Sequence, residues 1–326
     1  FFKDLQLRNP DYKINLKNKS LFNKLGEILI NVEKIIKNFK PDAVLILGDT
    51  NSGLSSIVAK KFKIPIFHLE AGNRCFDERV PEESNRKLID HISDVNLVYT
   101  EHAKINLLKE GFPAKRIIKT GSPIPEIIEK YSEKISESKV LNKLNLKKND
   151  YILVSSHREE NLDNELNFSN LIFLLKKLKK LKKKIVFSAH PRFKKKLLSK
   201  KIFNKLSKSV FLNKPFSFTD YINLQKNAYL IFSDSGSLVE ESSILKLNSV
   251  IIREAHERPE GDDEGTNILY DLDKKNFNQV MKILKEFKKQ YNLEVPKDYR
   301  SKNFSQIVIN TIISKINYIN KYLYFK

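Results

Sequence analysis

Asp42 to Gly72 reads DAVLILGDTNSGLSSIVAKKFKIPIFHLEAG. An apolar run, Ala43–Leu47, stops at a glycine turn, a helix-forming segment follows at Ser52–Lys61, and a second largely apolar run occupies Ile64–Leu69. Neither run alternates polar with apolar, which predicts parallel strands buried on both faces. Further strands are expected at Val95–Tyr99, Ile117–Thr120, Ile152–Ser155, Ile185–Ser188, Val210–Leu212, Leu230–Ser233 and Ser249–Arg253. Amphipathic segments lie between many of them, at Leu21–Phe39, Glu82–His91, Glu101–Glu110, Asn167–Lys182, Thr219–Asn227 and Ser237–Leu247. This alternation predicts an α/β chain with doubly wound parallel sheets. A charged, Ser- and Lys-rich stretch, Glu129–Asp150, divides the strands into two sets. Two Rossmann-like domains facing a cleft are expected, residues 1–140 and 150–303, with a terminal helix in 304–326 returning to the first.

At 326 residues the chain is long enough for two cores. A lone cysteine, Cys75, excludes an internal disulfide and fits a reducing cytoplasm. No apolar run approaches the ~20 residues of a membrane span, so no membrane insertion is expected. The net charge of +21 raises the question of nucleic acid. It comes from 50 Lys against 10 Arg, and the Lys are spread along helix faces such as Leu174–Lys184. A nucleic-acid surface draws more on the bidentate fork of Arg, so no nucleic-acid partner is expected. Six of the ten Arg (Arg74, Arg79, Arg86, Arg158, Arg253 and Arg258) instead fall in the segments that carry candidate chemistry.

Ligands of open α/β sheets bind beyond the carboxyl ends of strands. Asp49 stands there after the first strand, in Gly48-Asp49-Thr50-Asn51-Ser52-Gly53; read alone, Asp49 or Thr50 serves equally as a helix cap. Glu70 ends the next strand, within His68-Leu69-Glu70-Ala71-Gly72-Asn73-Arg74, where a carboxylate is costly unless it is paired or functional; a pair with Arg74 or Arg86 is the plain alternative. Pro81-Glu82-Glu83 opens a helix on which Glu82 and Arg86 share a face, as a simple i,i+4 pair also would. In the second set, His157 and Arg158 follow directly on a strand, and His190-Pro191-Arg192 is a weaker echo. Ser233-Asp234-Ser235-Gly236-Ser237 links a strand to a helix. Its backbone N–H groups and the helix dipole suit a diphosphate without a metal, and Glu241, a turn further on, suits ribose hydroxyls. Arg258 lies in the charged loop 253–261. No zinc-spaced Cys/His cluster, GxGxxG or Walker loop occurs, so neither metal nor cofactor is expected.

The ordered set GDTNS, HLEAGNR, PEESNR, SSHREEN, SDSGSLVEES and ERPEG, between Asp42 and Thr266, resembles the non-hydrolysing UDP-N-acetylglucosamine 2-epimerases. Residues 75–97 and 252–266 narrow this toward the branch that makes UDP-N-acetyl-L-fucosamine from UDP-2-acetamido-2,6-dideoxy-L-talose. The resemblance implies two Rossmann-like domains of the glycosyltransferase-B type, a homodimer, a UDP-2-acetamido sugar substrate and a place in surface polysaccharide biosynthesis (capsule or O-antigen). It implies catalytic or substrate-placing roles for Asp49, Glu70, Glu82 and His157, and nucleotide-sugar contacts for Arg86, Ser235, Gly236, Glu241 and Arg258. Arg74, Arg158 and Ser237 join the expected binding set by position. Such proteins begin with a strand and a GTRPE-type loop. This chain opens Phe1-Phe2-Lys3 beyond that point, so an N-terminally truncated first domain is expected. Alternatives are a 2-epimerase acting on UDP-N-acetylglucosamine or UDP-N-acetyl-L-rhamnosamine, a hydrolysing 2-epimerase, and a glycosyltransferase of the same fold.

Overall fold

The computed structural model describes residues 2, 4–18, 20–156, 164–189, 193, 195–197, 210–254, 256–290 and 294–326. It is an α/β protein with two parallel sheets. Two compact units emerge: Asn9–Glu126 with Arg300–Lys326, here the first unit, and Phe1–Arg8 with Ile127–Tyr299, the second. This partition places residues 127–140 with the second unit rather than the first. The local reason is polar anchoring: Asn223 donates to the Ile135 carbonyl at 2.7 Å and Ser138 bonds Asp220.

The first unit holds β1 (Val44–Leu47), β2 (Ile66–Leu69), β3 (Val95–Val98) and β4 (Ile117–Lys119), side by side in that order. β2 starts two residues later than the apolar run suggests because Pro65 lacks an N–H; its carbonyl instead accepts from Val44 N at 2.8 Å. β2 and β3 are buried throughout, as strands covered on both faces must be. The helix Phe304–Tyr322 packs on this sheet, where Phe304, Val308 and Ile319 meet Phe67, Leu69 and Val95. Beyond it, Tyr324 donates to Asp94 at 2.6 Å.

The second unit carries β5 (Tyr151–Ser156), β6 (Lys184–Ala189), β7 (Val210–Asn213), β8 (Leu230–Ser233) and β9 (Ser249–Ile251), in the order β7-β6-β5-β8-β9. The winding direction therefore reverses between β5 and β8, the point at which such sheets open a crevice at their carboxyl ends. The helix Glu165–Lys179 starts two residues earlier than its apolar periodicity suggests. Asn164 caps it, accepting from the Leu166 and Asn167 amides. Its Phe168, Leu171 and Leu175 join Ile152, Val154 and Phe187 in the largest apolar core.

Candidate active site

The helix Pro81–Ile92 organises the first unit's polar centre. Pro81 at its first turn and Glu82 and Glu83 behind it suit a helix start, where fixed φ and negative charge are both favoured. Glu83, Arg86 and Asp90, at i, i+3 and i+7, are all buried. A stripe at that spacing is ordinarily apolar; here it is charged, and each charge is tied to a loop. Arg86 donates through Nε and Nη2 to Asp49 at 3.0 and 2.7 Å, and through Nη1 to Glu83 at 2.9 Å. Asn85 bonds Asn51 at 3.0 Å, a second link to the turn after β1. Glu83 also accepts from the Cys75 and Phe76 amides. Burial works against its charge, but these amides, the Cys75 thiol and Arg86 outweigh it and hold the carboxyl below its usual range.

Asp90 receives His68 Nδ1 at 2.7 Å, Arg74 Nη1 at 2.8 Å and the Gly72 amide at 3.2 Å. Gly72 sits at φ +77° with the Ala103 carbonyl 2.3 Å from where a Cβ would stand, so only glycine fits. Glu70, two residues earlier, adopts φ +67°, a conformation that a side chain makes costly. Its carboxylate lies over Gly48, with Oε2 3.3 Å from the position of a Cβ there.

The expected residues divide accordingly. Asp49 carries no helix-cap bond and is one-quarter exposed while held by Arg86. Arg86 pairs with Glu83 and Asp49, not with Glu82 as the i,i+4 spacing suggests, because Glu83 is the one on the buried stripe. Glu82 is left half-buried, with no hydrogen bond or ion pair among the described residues. Arg74 departs from its expected substrate contact. Its side chain is wholly buried and grips Glu110 through two 2.7 Å bonds as well as Asp90. Burial disfavours its charge, yet those two carboxylates raise its pKa. Glu83 and Asp90 were missing from the sequence-derived set; the i, i+3, i+7 charged stripe was the available signal.

In the second unit, Ser155, Ser156 and Ser233 end the two strands at the switch point, all buried. Ser156 donates to Asp234 at 2.9 Å. Ser235 and Ser237 bond one another at 2.9 Å across Gly236, just before the helix Leu238–Leu245. A Cβ on Gly236 would come within 2.8 Å of both Arg258 Nη1 and Glu257 Oε1. Arg258 also donates to Glu240 at 2.7 Å. Glu241 is buried and accepts from Gln225 at 2.6 Å. Burial pushes its carboxyl up, against the downward pull of hydrogen bonds from Gln225 and Ser237. His157 and Arg158, with His190 and Arg192, lie outside the described residues.

The model of the family described as UDP-N-acetylglucosamine 2-epimerase matches residues 1–313. The chain belongs to that family. It is therefore a non-hydrolysing UDP-sugar 2-epimerase. It is 37% identical over 326 residues to the UDP-N-acetylglucosamine 2-epimerase of Methanococcus maripaludis, covering 97% of this chain and 87% of the relative. The structure of UDP-N-acetylglucosamine 2-epimerase from Rickettsia bellii is similar over 99% of this chain and 87% of its own length, with a TM-score of 0.93 and 44% identity. A Methanocaldococcus jannaschii UDP-GlcNAc 2-epimerase in complex with UDP-GlcNAc and UDP aligns at TM-score 0.87 and 35% identity, covering 96% of this chain and 87% of that one. An α,α-trehalose-phosphate synthase (UDP-forming) from Burkholderia vietnamiensis shares the glycosyltransferase-B type fold alone, at TM-score 0.59 and 12% identity over 98% of this chain and 80% of that one. The narrower resemblance to the L-fucosamine branch finds no support in these comparisons. Among the described residues no helix is long and apolar enough to cross a membrane.

Proposed function

We propose that this epimerase inverts C2 of UDP-N-acetylglucosamine, using Asp49, Glu70 and Glu82 for proton transfer and the Ser233–Ser237 turn for the diphosphate. The observation that carries the reading is Glu82, half-buried and without a partner among the described residues, on a helix whose buried charges Glu83, Arg86 and Asp90 are all paired. The M. jannaschii relative bound to UDP-GlcNAc and UDP supports the choice of sugar.

The chemistry follows from acidity. C2–H of a 2-acetamido sugar has no adjacent carbonyl, so direct abstraction is prohibitively slow. As the C1–O bond to UDP breaks, an oxocarbenium-like centre develops and C2–H becomes acidic. A carboxylate removes that proton, leaving a glycal and UDP. A carboxylic acid then protonates the opposite face of C2 while a diphosphate oxygen re-forms the bond to C1. Acid–base groups are needed on both faces, with fixed dipoles for the departing diphosphate. Backbone N–H groups before the helix Leu238–Leu245 suit that second task. Glu241 takes the ribose hydroxyls, and Arg258 and Ser237 border the phosphates. His157 and Arg158, directly after β5, complete the set, and the protein works as a homodimer in the cytoplasm, supplying sugar for surface polysaccharide. Loss and re-addition of UDP with proton transfer at C2 account for the reaction, so the proposal includes no cofactor.

A second reading keeps the L-talo to L-fuco conversion, because residues 75–97 and 252–266 favour it. The test is incubation in deuterated water with UDP-N-acetylglucosamine and with UDP-2-acetamido-2,6-dideoxy-L-talose, followed by NMR. Deuterium at C2 of the first, with appearance of its manno epimer, is expected. Exchange confined to the second sugar establishes the L-fucosamine reading instead. Sugar transfer to an acceptor without C2 exchange would overturn both.

A further inference from the structure

We propose that Asp90 is a positioning residue for the reaction, holding the turns of Asp49 and Glu70 in register through the His68 ring. The proposal rests on the acid–base reading of those two carboxylates.

His68 and Asp90 are almost completely buried, and the structure gives each ring nitrogen an acceptor. Nδ1 meets the Asp90 carboxylate at 2.7 Å and Nε2 meets the Gly48 carbonyl at 3.0 Å. A peptide carbonyl only accepts. Asp90 in turn receives the Gly72 amide and Arg74 Nη1, which suits an ionised carboxylate. The ring therefore bridges the Asp90 carboxylate and the Gly48 carbonyl. Asp90 comes from the helix Pro81–Ile92, and Arg74, from the loop after β2, ties it to Glu110 after the helix Glu101–Lys109. Glu70 over Gly48, and Arg86 with Asp49 and Glu83, complete the charged surroundings of the β1 and β2 turns.

The same carboxylate thus fixes two loops. Through His68 it holds the Gly48 carbonyl, next to Asp49. Through the Gly72 amide it holds the turn that keeps Glu70 at φ +67°. Asp90 touches no reacting atom; it acts through the two turns.

Turnover by the native chain tests the proposed function by itself, and variants at Asp90 and His68 test the brace against that native rate. Asp90→Asn keeps hydrogen-bonding groups toward Nδ1, Arg74 and Gly72, so it retains the brace. Asp90→Ala removes the brace and is expected to lower kcat ~100-fold, the order expected for a misplacement of about 1 Å, with KM and UDP affinity nearly unchanged. Asp90→Asn is expected to restore kcat to within about tenfold of native on the same argument. Native kcat in Asp90→Ala, a loss confined to KM, or no rescue by Asp90→Asn would overturn it. Should Asp90→Ala fail to fold, His68→Phe fills the space without the Gly48 bond, and native kcat in that folded variant would count equally against the proposal.

Discussion

The two units bury polar groups at their strand ends in different ways. In the first, the stripe Glu83–Arg86–Asp90 gathers with Arg74 and His68 in the interior. The connecting backbone is forced into left-handed conformations at Gly48, Glu70 and Gly72. In the second, small hydroxyl residues end the two strands at the switch point, the buried Asp234, Glu240 and Glu241 follow β8, and Gly236 provides room rather than an unusual φ. What would crowd Gly72 is the backbone of a neighbouring helix; what would crowd Gly236 is the tips of Arg258 and Glu257. One site has no freedom to adjust and the other has some. That difference suits the roles proposed for them, proton transfer along one line in the first and reception of a diphosphate in the second.

The sharpest way to break the comparison is in the first unit's chemistry. Asp49→Asn or Glu82→Gln is expected to cut turnover by 10²- to 10⁴-fold, in proportion to a lost acid or base, while calorimetry is expected to find UDP affinity within about twofold, since both residues belong to the first unit and the proposed diphosphate turn to the second. Near-native rates in both variants would remove these carboxylates from the mechanism. Gly72→Ala should lower unfolding free energy on the order of 3 kcal/mol, from φ strain and backbone overlap, measurable by urea titration. Gly236→Val should leave unfolding nearly unchanged but weaken UDP roughly tenfold or more, for loss of close approach to the turn. If Gly236→Val proves the more destabilising of the two, the contrast between rigid and adjustable sites fails.

The smallest effect concerns Glu241. Its folded-state pKa is raised by burial, so the folded protein binds a proton more readily than the unfolded chain. The stability this contributes is complete below the ordinary glutamate value of about 4.3 and is lost as pH rises through the raised folded value. Glu241→Gln should therefore flatten the dependence of Tm on pH over that window. An unaltered slope would show that the carboxyl is better solvated than its burial indicates.

Much of this was legible in the sequence because non-alternating, β-branched runs separated by helix-length amphipathic segments have few other solutions. Seven helical segments and nine strands were readable from period and composition, with errors at the ends. Pro65 shortened β2 and Asn164 advanced a helix start, both local effects. The polar centre was less legible. Sequence spacing offered Glu82 to Arg86, but helix geometry makes i,i+3 and i,i+4 equally near. Only the packed neighbours decide that Glu83 faces inward. Arg74 read as a ligand for the same reason: its partners Asp90 and Glu110 are 16 and 36 residues away.

Glu70 carries a consequence for engineering. A non-glycine residue at φ +67° costs roughly 1 kcal/mol relative to glycine. On the acid–base role proposed for Glu70, relieving that strain with glycine would also remove the carboxylate that the reaction uses. On that reading, a thermostabilising campaign on this enzyme would hold Glu70 fixed and look for its gains elsewhere.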